Sequence, residues 1–154
     1  QAAGAQVIGV DVGKEKLAGA RGAGLRTAVD SAEAADTVHA IAPDGVDAVI
    51  ESTGVPTLLE TARAMLRPGG RIAALGYKAG ATMGVSSHGL VLLEQSVIGS
   101  RYASRSDMEH AIRMVADGLV TPVIDEVLPL ERVNEAVERL EAGKVSGRLV
   151  MSML

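Results

Sequence analysis

The sequence has no cysteine, phenylalanine or tryptophan, and it has only two tyrosines among its 154 residues. Without cysteine, these residues form neither disulfides nor a thiolate metal site. With so few aromatic side chains, we expect a core of Val, Ile, Leu, Ala and Met, packed closely with the help of 18 glycines. Small residues of this kind are typical of proteins in which helices lie on a buried parallel sheet.

Clusters of basic residues and long apolar runs are also absent from the sequence. The formal net charge of -4 argues against a nucleic-acid partner, as does the lack of a Lys/Arg stripe. No apolar run reaches the length of a membrane span, and no signal peptide opens the sequence. Apolar residues make up 47% of the chain, which indicates a folded protein. We therefore expect a soluble, cytoplasmic α/β protein without a membrane partner.

Short apolar runs alternate with helical segments, which predicts parallel strands joined by right-handed crossovers. The first predicted strand has a continuous apolar character, so we expect it to be buried on both faces. Ser106 is the predicted N-cap of the helix that follows the fifth strand. The predicted strands are 6–11, 27–30, 46–51, 71–77, 97–100, 123–127 and 148–153. The predicted helices are 13–21, 32–42, 57–66, 107–117 and 130–141.

The pattern of elements changes near residues 118–122, beyond which the order becomes strand, helix, strand. This change predicts a dinucleotide-binding domain over residues 1–120 and a separate layer or domain over residues 121–154. Ligands of open parallel sheets bind outside the carboxyl ends of the strands. We therefore expect the functional residues at those ends, where the sequence places Asp11, Ser52, Thr53, Gly54, Leu75, Gly76 and Tyr77.

Asp11 ends the first predicted strand and precedes a helix, as the acidic residue of a dinucleotide-binding unit does. Its carboxylate can accept hydrogen bonds from both ribose hydroxyls of an adenosine and would repel a 2′-phosphate, which favours NAD over NADP. The alternative is that Asp11 is a helix N-cap. Lys16, one helical turn further on, can reach the ribose or a phosphate, or it is a solvated lysine of the helix surface.

The ends of the third and fourth predicted strands supply hydroxyls and bare backbone. Ser52, Thr53 and Gly54 lie where a nucleotide would pass, and the alternative is that they cap the following helix. Gly76 lets a ligand approach the backbone closely. Tyr77 either flanks a nicotinamide or fills a gap under the following glycine-rich loop, 78–89.

A dinucleotide-binding unit holds the pyrophosphate on a glycine-rich loop that lies roughly 20 residues before the acidic residue. Only ten residues precede Asp11, and they do not form such a loop. We therefore expect this sequence to be part of a longer polypeptide, whose first strand of the dinucleotide-binding sheet it does not include. That strand is the central one in the sheet order 3-2-1-4-5-6. The alternative is that the strands rearrange or borrow one from a partner chain.

Five segments in this order resemble the medium-chain, zinc-dependent alcohol dehydrogenase family: 4–11, 47–54, 66–72, 98–105 and 143–150. The resemblance implies a Rossmann-type parallel sheet lacking its first strand, plus a C-terminal strand-helix-strand segment that packs on a catalytic domain outside this sequence. It also implies hydride transfer between a small alcohol or carbonyl substrate and NAD, assisted by zinc, in a homo-oligomer (dimer or tetramer). The family's zinc ligands and catalytic residues lie in its N-terminal half, so we expect neither here.

The resemblance assigns roles to particular residues. It places Asp11 and Lys16 at the ribose, and Gly54 and Val55 where the coenzyme passes. Residues 75–77 line the nicotinamide in the family. Arg148 matches the arginine directed at the pyrophosphate, a contact that suits the fork of a guanidinium, although a structural arginine on a terminal strand is the alternative.

Three other functions remain open from the sequence. A zinc-free quinone or enoyl reductase on the same scaffold would use NADPH and often lacks an acid at the position of Asp11. A Rossmann-like methyltransferase resembles segment 66–70, but its sheet does not end like residues 127–154. The third is a nucleotide-binding or structural fragment without catalysis.

Overall fold

The computed structural model describes residues 1–22, 25 and 27–153. Residues Ser31–Glu33 and Leu130–Arg132 form short 3-10 turns. The strands are β1 (Ile8–Asp11), β2 (Thr27–Asp30), β3 (Val46–Glu51), β4 (Leu66–Ala74), β5 (Ser96–Gly99), β6 (Ile124–Pro129) and β7 (Arg148–Ser152). The helices are α1 (Lys14–Gly22), α2 (Ala34–Ile41), α3 (Leu58–Ala64), α4 (Ser87–Leu92), α5 (Arg105–Ala116) and α6 (Val133–Glu141). Within this part of the chain, no helix has both the length and the apolar character needed to cross a membrane.

The described strands form three sheets, with the orders β1-β2, β3-β4-β5 and β6-β7. β4 is parallel to both β3 and β5, and β6 is parallel to β7. The prediction of an α/β protein with parallel strands is confirmed. β1 and β3 belong to different sheets. In the sheet order 3-2-1-4-5-6, β1 corresponds to strand 2 and β3 to strand 4, so the strand predicted to be absent is the one that lies between them.

The chain divides into two compact units. The first unit consists of Ile8–Val12 and Ala28–Tyr102, and it is called the three-stranded unit after its largest sheet, β3-β4-β5, although it also includes β1 and residues 28–30 of β2. The C-terminal unit consists of Gln1–Val7, Gly13–Thr27 and Ala103–Leu154. The predicted domain boundary at residue 120 stays a prediction.

The core of the three-stranded unit lies between α2, α3 and one face of the sheet. Ile72 at its centre is 0% exposed. The other members are small or aliphatic, as the composition predicted: Ala34, Val38, Leu59, Ala62, Met65 and Leu66. Burying this apolar surface is the main stabilising contribution of the unit, because each fully buried aliphatic side chain contributes about 1.5–3 kcal/mol.

The prediction that the first strand is buried on both faces is wrong. Ile8 packs against the core of the three-stranded unit, but Val10 is exposed. Ile50 and Ile98 are exposed as well, on the face of their sheet opposite Ile72. For Ile50 and Ile98 the physical reason is that the core formed with α2 and α3 lies on the other face of their sheet, the face that carries Ile72.

Two element boundaries differ from the prediction for local reasons. α5 begins at Arg105 because Ser104, and not Ser106, is its N-cap: the Ser104 hydroxyl accepts from Asp107 N at 3.2 Å, and Ser104 N donates to the Asp107 carboxylate at 2.9 Å. This reciprocal capping box satisfies two orphan donors of the first turn. β4 begins at Leu66 and not at Arg71, because Leu66 pairs with Val46 ahead of a register shift.

The C-terminal unit contains β6, α6 and β7. Leu128 and Ala136 are buried where α6 covers the strand pair. Arg139 of α6 donates to Glu126 at 2.6 Å and to Asp125 at 3.0 Å, which ties the helix to β6. The two carboxylates raise the pKa of Arg139 above its ordinary value through hydrogen bonding and charge attraction.

Candidate dinucleotide site at the strand ends

The carboxyl ends of β3 and β4 lie side by side. Glu51 pairs with Ala74, and the carbonyl of Glu51 then accepts hydrogen bonds from Leu75 N at 2.8 Å and from Gly76 N at 3.2 Å. Ser100, after β5, donates from its backbone nitrogen to the carbonyl of Ala74 at 2.9 Å. The parallel topology therefore brings segments 52–55 and 75–77 together, as the sequence predicted from the order of the strands.

Gly54 and Gly76 meet through their backbones. Gly54 adopts φ +70°, and a Cβ added there would lie 2.5 Å from Tyr77 N. A Cβ at Gly76 would lie 2.2 Å from Gly54 N. The protein's own backbone therefore occupies the direction of the missing side chain at Gly76, and the approach of a ligand to the backbone of Gly76 stays a prediction.

Glu51 is the residue of this site that sequence reasoning missed. Its side chain is buried, and Oε1 accepts from Thr53 N at 2.7 Å and from the Thr53 hydroxyl. Gly54 N lies 3.2 Å from the other carboxylate oxygen. The available signal was an acidic residue that closes an apolar strand, since buried carboxylates are rare unless they are paired or hydrogen-bonded.

Thr53 uses its hydroxyl inside the turn. Besides donating to Glu51, its Oγ1 accepts from Val55 N at 3.0 Å. The predicted role of this hydroxyl toward a nucleotide therefore competes with two bonds inside the turn. Ser52, by contrast, is exposed.

The rim of the site is apolar and open to solvent. Val55 and Leu75 are 44% and 47% exposed, and Tyr77 is 86% exposed. Of the two interpretations of Tyr77 made from the sequence, filling a gap under the loop does not agree with this exposure. An exposed aromatic ring beside bare backbone offers a flat apolar surface to a planar ligand.

The loop that follows Tyr77 is tied to α3 at its far end. Ser86 N donates to Glu60 at 2.9 Å, and Arg63 Nε donates to the other carboxylate oxygen of Glu60 at 2.7 Å. The Arg63 hydrogen bond, more than any other contact, holds the pKa of Glu60 below its ordinary value. Glu60 therefore remains ionised at neutral pH and continues to accept from the loop.

The remaining predicted site residues lie on other elements. Asp11 is half-buried at the carboxyl end of β1, in the three-stranded unit, three residues before α1 begins. Lys16 is exposed on α1, and Arg148 is exposed as the first residue of β7; both belong to the C-terminal unit. Arg148 donates to the carbonyl of Gly147 at 3.4 Å.

No metal-ligand cluster is found among residues 1–22, 25 and 27–153. Three or more His, Cys, Asp or Glu side chains do not converge anywhere in these ranges. These described residues therefore supply no ligand set for the zinc ion, whose ligands the resemblance places in a part of the family outside this sequence.

Comparison with known proteins places these features in a family. The family described as zinc-binding dehydrogenase matches residues 1–117. An alcohol dehydrogenase of Geobacillus stearothermophilus is 33% identical, with 99% of this chain and 45% of that protein covered. An NAD-dependent alcohol dehydrogenase of Sulfolobus acidocaldarius is 29% identical, with 97% and 44% covered.

A solved structure has the same fold. The alcohol dehydrogenase from Aeropyrum pernix superposes with a TM-score of 0.85 at 27% identity, over 96% of this chain and 42% of that chain. The chain thus spans less than half the length of the relatives that it matches. Since the family match extends over most of the chain, a dehydrogenase is favoured over a methyltransferase, and the chain belongs to the zinc-binding dehydrogenase family.

Proposed function

We propose that this chain is the coenzyme-binding part of an NAD-dependent alcohol dehydrogenase. The observation that carries the proposal is the joined pair of segments 52–55 and 75–77, which presents the exposed side chains of Val55, Leu75 and Tyr77 at the carboxyl ends of β3 and β4. This is where open parallel sheets bind nucleotides. Relatives named alcohol dehydrogenase, one of them NAD-dependent, support the proposal.

The adenosine end of NAD is assigned to the region after β1. Asp11 would accept hydrogen bonds from the ribose hydroxyls, and its negative charge would disfavour the 2′-phosphate of NADP. The role of Lys16 toward the ribose or a phosphate stays a prediction. Gly54 and Val55 would border the path of the coenzyme between its two ends.

The nicotinamide end is assigned to residues 75–77, where Leu75 and Tyr77 would hold the ring against an apolar surface. NAD, when bound, supplies the hydride acceptor for oxidation of an alcohol. Arg148 would contact the pyrophosphate through its guanidinium fork. The small alcohol or carbonyl substrate, the homo-oligomeric state and the cytoplasmic location stay predictions.

The described residues lack a ligand set for a zinc ion. The roles left to this chain are to bind the coenzyme, to orient its nicotinamide and to select NAD over NADP.

A binding titration tests the proposal. The chain is titrated with NADH and with NADPH while the fluorescence of the reduced nicotinamide is followed, and with NAD by calorimetry. We expect saturable binding of NAD and NADH, with NADPH bound at least about tenfold more weakly, a difference of about 1.4 kcal/mol. Preference for NADPH would instead support the zinc-free reductase, and no binding of any dinucleotide would support the structural fragment.

A further inference from the structure

Glu51 and Gln95 are the two buried polar side chains among the residues whose burial the structure describes, and they lie at opposite ends of the three-stranded sheet. Glu51 ends β3 at the carboxyl edge, beside the proposed coenzyme site. Gln95 immediately precedes β5 at the amino edge, where it donates to the carbonyl of Leu66 at 3.1 Å. The two residues are equally buried, but only Glu51 touches the coenzyme-facing segments.

Glu51 holds both of those segments at once. Its carboxylate accepts from the backbone nitrogens of Thr53 and Gly54 and from the Thr53 hydroxyl. Its backbone carbonyl accepts from the nitrogens of Leu75 and Gly76. One residue therefore connects segment 52–55, through its side chain, to segment 75–77, through its main chain.

The carboxylate determines how the first segment is oriented. A buried carboxylate must replace its lost hydration with hydrogen-bond donors, and the donors within reach here are those of Thr53 and Gly54. Satisfying the carboxylate turns these groups toward the sheet. It keeps Gly54 in its left-handed conformation against Tyr77, where the fit to Gly76 leaves no room for a side chain.

We propose that Glu51 is a positioning residue for coenzyme binding, which acts through the Gly54–Gly76 contact without touching the dinucleotide. This inference rests on the proposed function, because it concerns the same site. The carboxylate fixes the spacing between the two segments before the coenzyme arrives. Binding therefore does not have to order the two segments. Because less conformational entropy is lost on binding, the affinity for the coenzyme is higher.

Two conservative variants separate the geometry of the carboxylate from its charge. Glu51→Gln removes the charge and replaces one carboxylate oxygen by an NH2 donor, but an amide oxygen in the place of Oε1 still accepts from Thr53 and stays in reach of Gly54 N, which lies 3.3 Å from Oε1. Glu51→Asp keeps the charge but withdraws the carboxylate by one methylene. We expect the NADH dissociation constant to rise by on the order of tenfold in E51D and by no more than about threefold in E51Q, because hydrogen bonding sets the turn.

Gln95→Leu is the matched control, since it removes a side chain that is equally buried and hydrogen-bonded at the opposite edge. We expect Q95L to lower the midpoint of thermal unfolding and to leave the dissociation constant of the folded protein unchanged. Amide hydrogen exchange gives a second measurement: the Thr53 and Gly54 amides should exchange faster in E51D than in the wild type, and unchanged in Q95L.

Each outcome decides between the hypotheses. An unchanged dissociation constant in folded E51D, or the same increase in Q95L, overturns the positioning role while leaving the proposed function intact. A larger effect in E51Q than in E51D also overturns it, because charge and not geometry would then matter. A wild-type chain that binds no dinucleotide overturns the proposed function itself, and the positioning role with it.

Discussion

A methyl group at Gly76 would lie 2.2 Å from the backbone nitrogen of Gly54, which makes these two glycines a fixed contact between the ends of β3 and β4. The contact does not involve any ligand. It therefore fixes the spacing between the ends of β3 and β4 in the fold itself, and any binding site at these strand ends has that spacing.

Gly76→Ala is expected to destabilise the chain by about 3 kcal/mol, the upper end of the usual cost of overpacking, because the obstacle is backbone that cannot rotate away. It should also weaken NADH binding, since the two coenzyme-facing segments would be forced apart. Chemical denaturation and a fluorescence titration measure the two effects.

Gly99→Ala is the control for that variant. Gly99 lies in β5 of the same sheet, and a Cβ there meets nothing within 4 Å. Glycine within a strand costs about 0.5–1 kcal/mol relative to alanine, so G99A should be neutral or stabilising. Equal destabilisation by G76A and G99A would show that the Gly54 contact is not the cause.

Except for α4, the order of strands and helices could be predicted from the sequence because it depends on local signals. Apolar runs such as 46–51 and turn residues such as Pro43 and Gly45 indicate where an element begins or ends regardless of what it packs against. Gly69 and Gly70 were misleading, because they lie inside β4. The exposure of Val10 and Ile50 could not be predicted that way. Their apolar character indicates a buried strand, whereas their actual exposure depends on which elements cover the sheet.

The candidate site was predictable in position but not in its internal hydrogen bonds. The rule that ligands bind at the carboxyl ends of parallel strands located residues 52–55 and 75–77. Glu51 was missed because its role is set by bonds to the two residues that follow it, which strand periodicity does not reveal. The cap at Ser104 was missed for a similar reason. Both Ser104 and Ser106 precede the predicted helix 107–117, and only the three-residue spacing from Ser104 to Asp107 allows the capping box to form.

Asp11→Ser tests the assignment of the ribose. Removing the carboxylate should weaken NAD binding and relieve the repulsion of a 2′-phosphate, so the ratio of NADP to NAD dissociation constants should fall by on the order of tenfold. Calorimetric titration with both coenzymes measures the ratio. Asp44→Ser is the control, because Asp44 is an exposed aspartate that precedes β3 at the opposite end of that strand. If D11S keeps the wild-type ratio, Asp11 has no part in selecting the coenzyme.

Arg148→Ala tests the proposed pyrophosphate contact. The variant should lose a charge-assisted bidentate contact, which should raise the NAD dissociation constant by on the order of tenfold. The dissociation constant of Arg148→Lys should lie between those of the wild type and R148A, because lysine keeps the charge but lacks the guanidinium fork. Arg113→Ala, which removes an exposed arginine of α5 in the same unit, should leave NAD binding unchanged. Equal affinity of R148A and the wild type would return Arg148 to a structural role on β7.

The capping box of α5 makes a prediction about acid. Hydrogen bonds from the Ser104 hydroxyl and backbone nitrogen hold the pKa of Asp107 below its ordinary value of 3.8. Because the pKa is lower in the folded chain than in the unfolded chain, ionised Asp107 stabilises α5 above pH 3.8, and this stabilisation is lost as the pH falls through the folded-state pKa. Asp107→Ala should therefore lower the unfolding midpoint at neutral pH, and the difference from the wild type should shrink in strong acid. Thermal unfolding followed by circular dichroism, from neutral pH to below pH 3.8, measures the difference in unfolding midpoint between D107A and the wild type.

Ser104→Ala and Ser106→Ala complete the test, because Ser106 is the cap predicted from the sequence and Ser104 is the cap in the structure. Ser104→Ala should lower the unfolding midpoint by about 2–4 °C, since it removes the acceptor for Asp107 N as well as the hydroxyl donor. Ser106→Ala removes only a hydroxyl that lies 2.8 Å from that of Ser104, so its effect should be smaller. A larger loss in S106A than in S104A would place the start of α5 two residues later and would remove the physical reason for the lowered pKa of Asp107.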